Sequence, residues 1–339
     1  MARIHLLSAR AVANDNQLYG DPCERLKWAA ARDHFGVHTV VADPADADII
    51  LFVERTWFSE VRRHPVLAKY RDRCMLFNGI DAAVPFLPGI FPALERQHSD
   101  PSRTRAGPYL RNIGRRSLPV DDGIGTATGE RPFLYSFVGG LSTHDVRYEI
   151  AALSEPDALV IDTSQSKHIV KRDERAVDPY WHFFVTQTRR SDFVLCPRGM
   201  AVSSLRVFEA MQLGRAPVII ADGWVDPPGV DWQSFAITVA EADVLRLPQL
   251  LRARRHEAVE RGALARAAWE ARYAPDVIFH WVVETLLDIR RQPAPNRAAT
   301  AARLARQLTE RRHVDRFARR ALRRMLPRQI VRALSAAGP

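Results

Sequence analysis

FVLCPRGMAVSSLRVFEAMQLGRAPVIIAD, residues 193–222, is the stretch whose reading decides the fold. Phe193-Val194-Leu195-Cys196 is a short apolar run closed by Pro197 and Gly199, the mark of a buried strand. Ser203 or Ser204 stands where a helix N-cap belongs, ahead of Leu205-Arg206-Val207-Phe208-Glu209-Ala210-Met211. Gly214 ends that helix, and Ala216-Pro217-Val218-Ile219-Ile220 is the next strand. Strand, loop, helix, turn and strand make one βαβ unit, and ligands of open α/β sheets bind outside the carboxyl ends of such strands.

That edge carries Arg198 and Gly199, followed by a helix N-terminus whose free N–H groups and partial positive charge suit a phosphate. Arg206, in the first turn, adds a guanidinium fork that matches phosphate oxygens. Glu209, three residues on, is suited to accept hydrogen bonds from vicinal hydroxyls such as those of ribose. Phosphate donors beside a hydroxyl acceptor point to a nucleotide sugar. The competing reading of Arg206 and Glu209 is a solvated surface pair without chemistry.

The stretch resembles the signature of exostosin-type glycosyltransferases, F-x-L-x-P-x-G, S-x-R-x-x-E-A and G-x-x-P-V-I-I. Here those pieces are Phe193 to Gly199, Ser204 to Ala210 and Gly214 to Ile220. The likeness runs on through Asp231-Trp232-Gln233-Ser234-Phe235 and Glu241-Ala242-Asp243, and covers residues 130 to 255. It implies two Rossmann-like α/β domains facing across a cleft (the GT-B architecture). It also implies inverting transfer from a nucleoside diphosphate sugar, a UDP-sugar in the first instance, to a carbohydrate or lipid-linked acceptor in polysaccharide synthesis. Phe137-Val138-Gly139-Gly140 followed by Arg147 resembles the family's opening of the donor domain, so Gly139, Gly140 and Arg147 join the expected donor contacts. The others are Arg198, Gly199, Ser203, Ser204, Arg206, Glu209 and Asp222, the last in a loop beyond a strand end.

In an inverting transfer a base removes the acceptor proton while the diphosphate leaves. Arg147, Arg198, Arg206 and the helix N-terminus can stabilise the leaving group in place of a cation, so metal independence and no cofactor are expected. Asp46-Ala47-Asp48 has the spacing of a metal motif but precedes a strand, and is read as a solvated turn. Asp81, Glu54 and His5 are the candidates for the base, unranked.

Three domains are expected. Residues 1–128 alternate strand and helix (3–8, Cys23 to Phe35, Val37 to Val41, Ile49 to Val53, Arg71 to Phe77) and form an acceptor-side Rossmann-like unit. A Gly-, Pro-, Ser- and Arg-rich run, 96–130, reads as a long connection. Residues 129–292 form the donor domain, closed by a helix over Val277 to Arg291 whose Trp281, Val282, Leu286 and Leu287 fall at helical spacing and which should pack back across the first domain. Residues 293–339 are a basic tail.

The chain has 339 residues, is 47% hydrophobic and has a net charge of +10. Arg297 to Arg332 holds 12 Arg against Glu310 and Asp315, so 12 − 2 = +10 lies in the tail and the remainder is neutral. That weakens any nucleic-acid reading of the globular part, and Phe317 is the tail's only aromatic residue for stacking. Leu304, Leu308, Phe317, Ala321, Met325 and Val331 recur at helical spacing among the arginines. Two readings follow: attachment of residues 297–334 to an anionic membrane face, or packing on the chain's own domains. No run of eighteen apolar residues and no secretory signal is read in these residues, and the membrane anchor of the family's animal members is not expected here. The expectation is a bacterial-like, cytoplasmic enzyme, working at the inner membrane face if the tail binds there. Cys23, Cys74 and Cys196 have no metal-ligand spacing and read as core residues. Two other classes stay open: a non-catalytic nucleotide-sugar binder, and a nucleic-acid-associated protein using the arginine tail.

Overall fold

In the computed structural model of the chain, residues 1–9, 21–110, 130–165, 177–293, 296–315 and 318 are described. Two sheets, all of their strands parallel, organise them. The first contains β1 (Arg3–Leu7), β2 (Thr39–Val40), β3 (Ile49–Glu54), β4 (Cys74–Asn78), β5 (Gly89–Ile90) and β6 (Thr104–Arg105), in the order β2-β1-β3-β4-β5-β6. The second contains β7 (Phe133–Gly139), β8 (Ala158–Asp162), β9 (Ser191–Pro197), β10 (Ala216–Ile220) and β11 (Ile237–Val239), in the order β11-β10-β9-β7-β8. Every residue of β3, β4, β9 and β10 is buried, as continuous apolar runs covered on both faces require. The expected pair of Rossmann-like α/β domains is therefore present.

Each order reverses once. In the first sheet the chain steps from β1 to β2 on one side and from β3 onward on the other, so the reversal lies between β1 and β3. In the second it lies between β7 and β9. Where neighbouring connections leave in opposite directions, a crevice opens at the carboxyl ends of the strands. Leu7 and Glu54 end the strands at one reversal, Gly139 and Pro197 those at the other.

The organising βαβ unit folds as its sequence indicates. Ser204 caps α4 (Leu205–Gln212), its hydroxyl accepting from the Arg206 N–H at 3.3 Å, and Ser203 is not the cap. Gly214 follows the helix with φ +64°, a conformation that costs a residue bearing a Cβ. Before it come α1 (Pro22–Ala30), α2 (Asp145–Ala152) and α3 (Val177–Arg189), and after it α5 (Ala258–Arg272) and α6 (Ile278–Arg291). α6 buries Ile278, Phe279, Trp281, Val282, Val283, Leu286 and Ile289 in a core shared by Ile4, Leu26 and Ile49 of the first domain and Val194, Phe208 and Ile219 of the second. Each such side chain stabilises the fold by about 1.5–3 kcal/mol on burial, so this helix joins the domains as expected. Arg105 to Asp288 at 2.6 Å and the Arg290 Nη1–H to the Asp48 carbonyl at 2.8 Å add polar ties.

Three local expectations are corrected, and for the described start of the tail one of its two readings, packing on the chain's own domains, is favoured. The first helix stops at Ala30, not Phe35, because residues 31–38 leave it to run along α6, where the His34 N–H donates to the Asp276 carbonyl. The strand expected over Val37 to Val41 pairs only at Thr39–Val40, at the sheet edge. The connection expected from residue 96 supplies β6, two residues long and too short to show a period, while residues 111–129 lie outside the described ones. The tail does not begin free at Pro293. α7 (Arg297–Leu308) lays Leu304 and Leu308 on Trp57, Phe58 and Val84, and Gln307 donates to the Ala83 carbonyl at 2.9 Å. Arg303 pairs with Asp100, Arg312 with Glu95, and Glu310 meets His98 Nε2 at 2.6 Å. Of the apolar side chains named for the tail, Leu304 and Leu308 are half-buried against the first domain. Phe317, Ala321, Met325 and Val331 lie outside the described residues.

Asp48, half of the Asp-x-Asp spacing, accepts from the Arg3 backbone N–H at 2.7 Å, consistent with a turn. The three cysteines are buried and unpaired. Among the described residues no helix is long and apolar enough to cross a membrane.

Candidate active site

The two reversal points face one another across a single cleft of about 300 Å³. Glu54 and Arg55 at the end of β3, Gly79, Ile80 and Asp81 after β4, and Arg25 in α1 line it from the first domain. Gly139, Thr143, Arg147, Tyr180, Gly199 and Met200, with residues 203–206 at the start of α4, line it from the second. The volume is at the lower end for a small-molecule site.

The second-domain wall is cross-braced by two arginines. Arg147 donates through Nε to the Arg198 carbonyl at 2.7 Å, through Nη1 to Gly140 at 2.8 Å and through Nη2 to Pro197 at 3.0 Å. One buried guanidinium thus ties the loop after β7 to the loop after β9. Burial and the neighbouring Arg206 pull it down to about 10, still charged at neutral pH. Gly199 permits this closeness, since a Cβ there would lie 3.2 Å from both Arg147 Nη2 and Thr143 Oγ1.

Arg206 donates through Nε to the Val138 carbonyl at 2.7 Å, lies over the Phe184 ring at 4.1 Å, and its Nη1 pairs with Glu209. Burial opposes its charge, but Glu209 and Tyr180 outweigh that and hold its pKa above the ordinary value. Glu209 is fully buried and does not line the cleft. The space expected for ribose is thus not beside it in this structure; its carboxylate pairs with Arg206 from behind. Helical spacing puts the two on one face, and the packing of Phe184 and Val138 decides which of them reaches the ligand space.

Arg198 also turns away. Its Nη1 lies 3.3 Å from Glu241 Oε1, which accepts from the Asp222 N–H at 2.8 Å, while Asp222 accepts from the Glu241 N–H at 3.2 Å. Arg198 and Asp222 thus form a cluster at the neighbouring strand ends, outside the cleft lining. Gly140 contributes its carbonyl to Arg147 and not a lining surface. Gly139, Arg147, Gly199, Ser203, Ser204 and Arg206 are brought together as expected.

Of the three base candidates, two reach the cleft. His5 sits inside β1, short of its carboxyl end, with Nδ1 3.1 Å from the Val41 carbonyl, and does not line the cleft. Glu54 is buried at the reversal point, where it accepts from the Ala9 N–H and, at 2.7 Å, from the Thr56 hydroxyl. Burial raises its pKa, against the hydrogen bonds from Ala9, Thr56 and Ser8 that lower it. Asp81 is partly exposed in the cleft, and its charge reaches both Arg147 and Tyr109. Burial first, then Asp81, pushes the Tyr109 hydroxyl upward.

Sequence reasoning missed Arg25, Arg55, Tyr109 and Tyr180 as lining residues. Arg55 was open to discovery, since it directly follows Glu54 at the end of the clearest strand of the first half. Tyr109 comes from the Gly- and Pro-rich run and carries no local signal.

Residues 97–254 match the model of the Exostosin GT47 domain. Among curated proteins, an exostosin-1 homolog of Caenorhabditis elegans is 46% identical over 63 residues, which is 18% of this chain and 16% of that one. A probable glucuronoxylan glucuronosyltransferase of Arabidopsis thaliana is 44% identical over 70 residues, 20% of this chain and 16% of its own. The chain thus matches about a sixth of the length of these relatives. MurG of Acinetobacter baumannii, a solved structure, is 12% identical and covers 85% of this chain and all of its own at a TM-score of 0.41. The matched stretch takes in the whole second sheet and leaves β1 to β5 outside.

Proposed function

We propose that this chain, through its exostosin-type domain, is an inverting glycosyltransferase. It moves a sugar from a nucleoside diphosphate sugar, a UDP-sugar, to a carbohydrate or lipid-linked acceptor in polysaccharide synthesis. The observation that carries the reading is the meeting of both sheets' reversal points at one cleft, with arginine on both walls and a capped helix N-terminus on one.

The diphosphate lies against the start of α4, where backbone N–H groups and the helix dipole favour anions. Arg206, aimed by Glu209, and Arg147 add positive charge that is already in place before the reaction. Asp81 is the base. It is partly exposed in the cleft, whereas Glu54 is 1% exposed and so less open to an acceptor. The Asp81 carboxylate takes the acceptor hydroxyl proton, and the oxygen forms a bond to the anomeric carbon from the face opposite the diphosphate. The bond to the diphosphate oxygen breaks, its electron pair leaves with the phosphate, and configuration inverts. The arginines and helix N–H groups receive that charge, so the transfer runs without a metal ion or other cofactor. Because several relatives carry glucuronosyltransferase names, a glucuronosyl donor is the first to try.

The test is a panel of nucleotide sugars with soluble oligosaccharide acceptors, with and without excess EDTA, read by NMR for the anomeric configuration of the product. The expected result is inverted product from a UDP-sugar, unchanged by the chelator. A donor that binds without transfer or hydrolysis would leave a non-catalytic binder. Activity lost to EDTA and restored by manganese would overturn the metal-free cleft.

A further inference from the structure

Among the described residues, one group outside the cleft brings together side chains of metal-ligand type: His38, in the loop before β2, and His280 and Glu284 on α6. Four residues apart on a helix, His280 and Glu284 point to the same side, the spacing by which a single helix supplies two ligands to a cation. One donor atom from each of the three lies within 4.8 Å of the others. None of the three lines the cleft.

The polar bookkeeping at this place is unusual. The His38 side chain is 0% exposed, and both of its ring nitrogens are buried without a hydrogen-bond partner. Its Nε2 is 3.1 Å from Glu284 Oε1, an ion-pair distance. The Nδ1 of His280 is likewise buried without a partner. Buried polar atoms are nearly always bonded, so an unpartnered nitrogen on each of two neighbouring rings beside a carboxylate calls for a ligand. The rings are also held in place: Phe35 stacks on His280 at 4.1 Å and 25°, and the two imidazoles sit 5.1 Å apart.

We propose that His38, His280 and Glu284 form a binding site for a divalent transition metal, zinc by preference, that clips the loop before β2 to α6. Two imidazoles and a carboxylate are the donor set of borderline cations and not of calcium or magnesium, which take oxygen ligands. Ligand atoms about 2.0–2.2 Å from a tetrahedral zinc lie about 3.3–3.5 Å apart, close to the His38–Glu284 separation. Glu284 is 42% exposed, so the fourth position faces solvent and takes water. The loop belongs to the first domain, and α6 is the helix that returns to it from the second, so a bound ion reinforces the join between them. Binding to the folded state alone raises its stability by mass action. The site is separate from the proposed transfer chemistry, and the metal-free reaction in EDTA reports on a different place.

The experiment uses the full chain without a histidine tag, stripped with EDTA and dialysed. It is titrated with cobalt(II), followed by visible absorption, and with zinc(II), followed by calorimetry. One equivalent with the intense visible bands of low-symmetry cobalt is expected, together with a zinc-dependent rise in melting temperature. Glu284→Gln changes a half-exposed carboxylate and keeps the fold; it should weaken zinc at least about tenfold and flatten the rise. His280→Ala, checked for folding by circular dichroism, should do the same. No binding by the unaltered chain overturns the proposal. So does affinity unchanged in Glu284→Gln, which would place the metal on other histidines.

Discussion

The two walls of the cleft are built by different means. On the second-domain side, Arg147 closes three backbone carbonyls and Arg206 a fourth, Ser204 caps α4, and Glu209 backs the whole from a fully buried position. On the first-domain side, Asp81, Arg55 and Arg25 come from the loop after β4, the end of β3 and a turn of α1. The exostosin-type match covers the braced wall and stops short of β1 to β5. A leaving diphosphate is met best by charge fixed beforehand, because donors that must reorganise during the reaction lose much of their effect. Loops on a rigid scaffold, by contrast, can change what they present without unsettling the fold. On the proposed function, the donor belongs to the braced wall and the acceptor to the looped one.

The sharpest way to break that division is Asp81→Asn. If the looped wall holds the base, turnover should fall by about a hundredfold to ten-thousandfold while UDP binding by calorimetry is unchanged. A variant with full activity would move the base elsewhere, with Glu54 next. The braced wall answers to a different readout. Glu209→Ala leaves the desolvated Arg206 without its partner, and breaking such a buried pair costs about 3–5 kcal/mol of stability. Urea unfolding should show that loss. A protein of unchanged stability with weakened nucleotide binding would instead restore Glu209 to the ribose.

Arg55→Ala should separate the walls more gently. Loss of one charge-assisted contact costs about 1.5–3 kcal/mol, here expected in acceptor KM and not in donor affinity or stability. Equal unfolding midpoints with altered binding would support the looped wall as a recognition surface. The smallest effect concerns Glu54, whose pKa burial raises. A raised carboxyl contributes stability that is present below its unfolded value and is lost as pH climbs through the folded one. Ionised Glu54 is therefore a net cost at neutral pH. Glu54→Gln should be as stable as the parent at about pH 7, or slightly more so, and less stable relative to it near about pH 4. A larger loss at neutral pH than at acid pH would contradict the burial argument.

Much of the braced wall was legible beforehand because its signals are local. Pro197, Gly199, Ser204 and Gly214 stand within one βαβ unit, and backbone sterics and capping act over a few residues, so their order alone implies strand, loop and helix. Ile49 to Val53 and the periodic apolar face of Val277 to Arg291 were readable for the same reason. What misled was the direction of side chains. Arg206 and Glu209 share a helix face, yet Phe184 from α3 and the Val138 carbonyl from β7 fix the arginine toward the cleft and seal the glutamate behind it. Arg198, adjacent to Gly199, is drawn instead to Glu241.

The sequence by itself determined the α/β class, the donor-side unit and the helix that returns across the first domain, because periodicity, caps and turn residues are short-range constraints. Only the tertiary structure decided that Asp81 and Glu54 reach the cleft while His5 does not. Tertiary packing alone also buried Glu209 against Arg206 and laid α7 on Trp57 and Phe58. Each of these outcomes depends on which distant elements come to lie beside a side chain. Burial and pairing energies between such elements exceed any local preference, and they have no expression in the order of neighbouring residues.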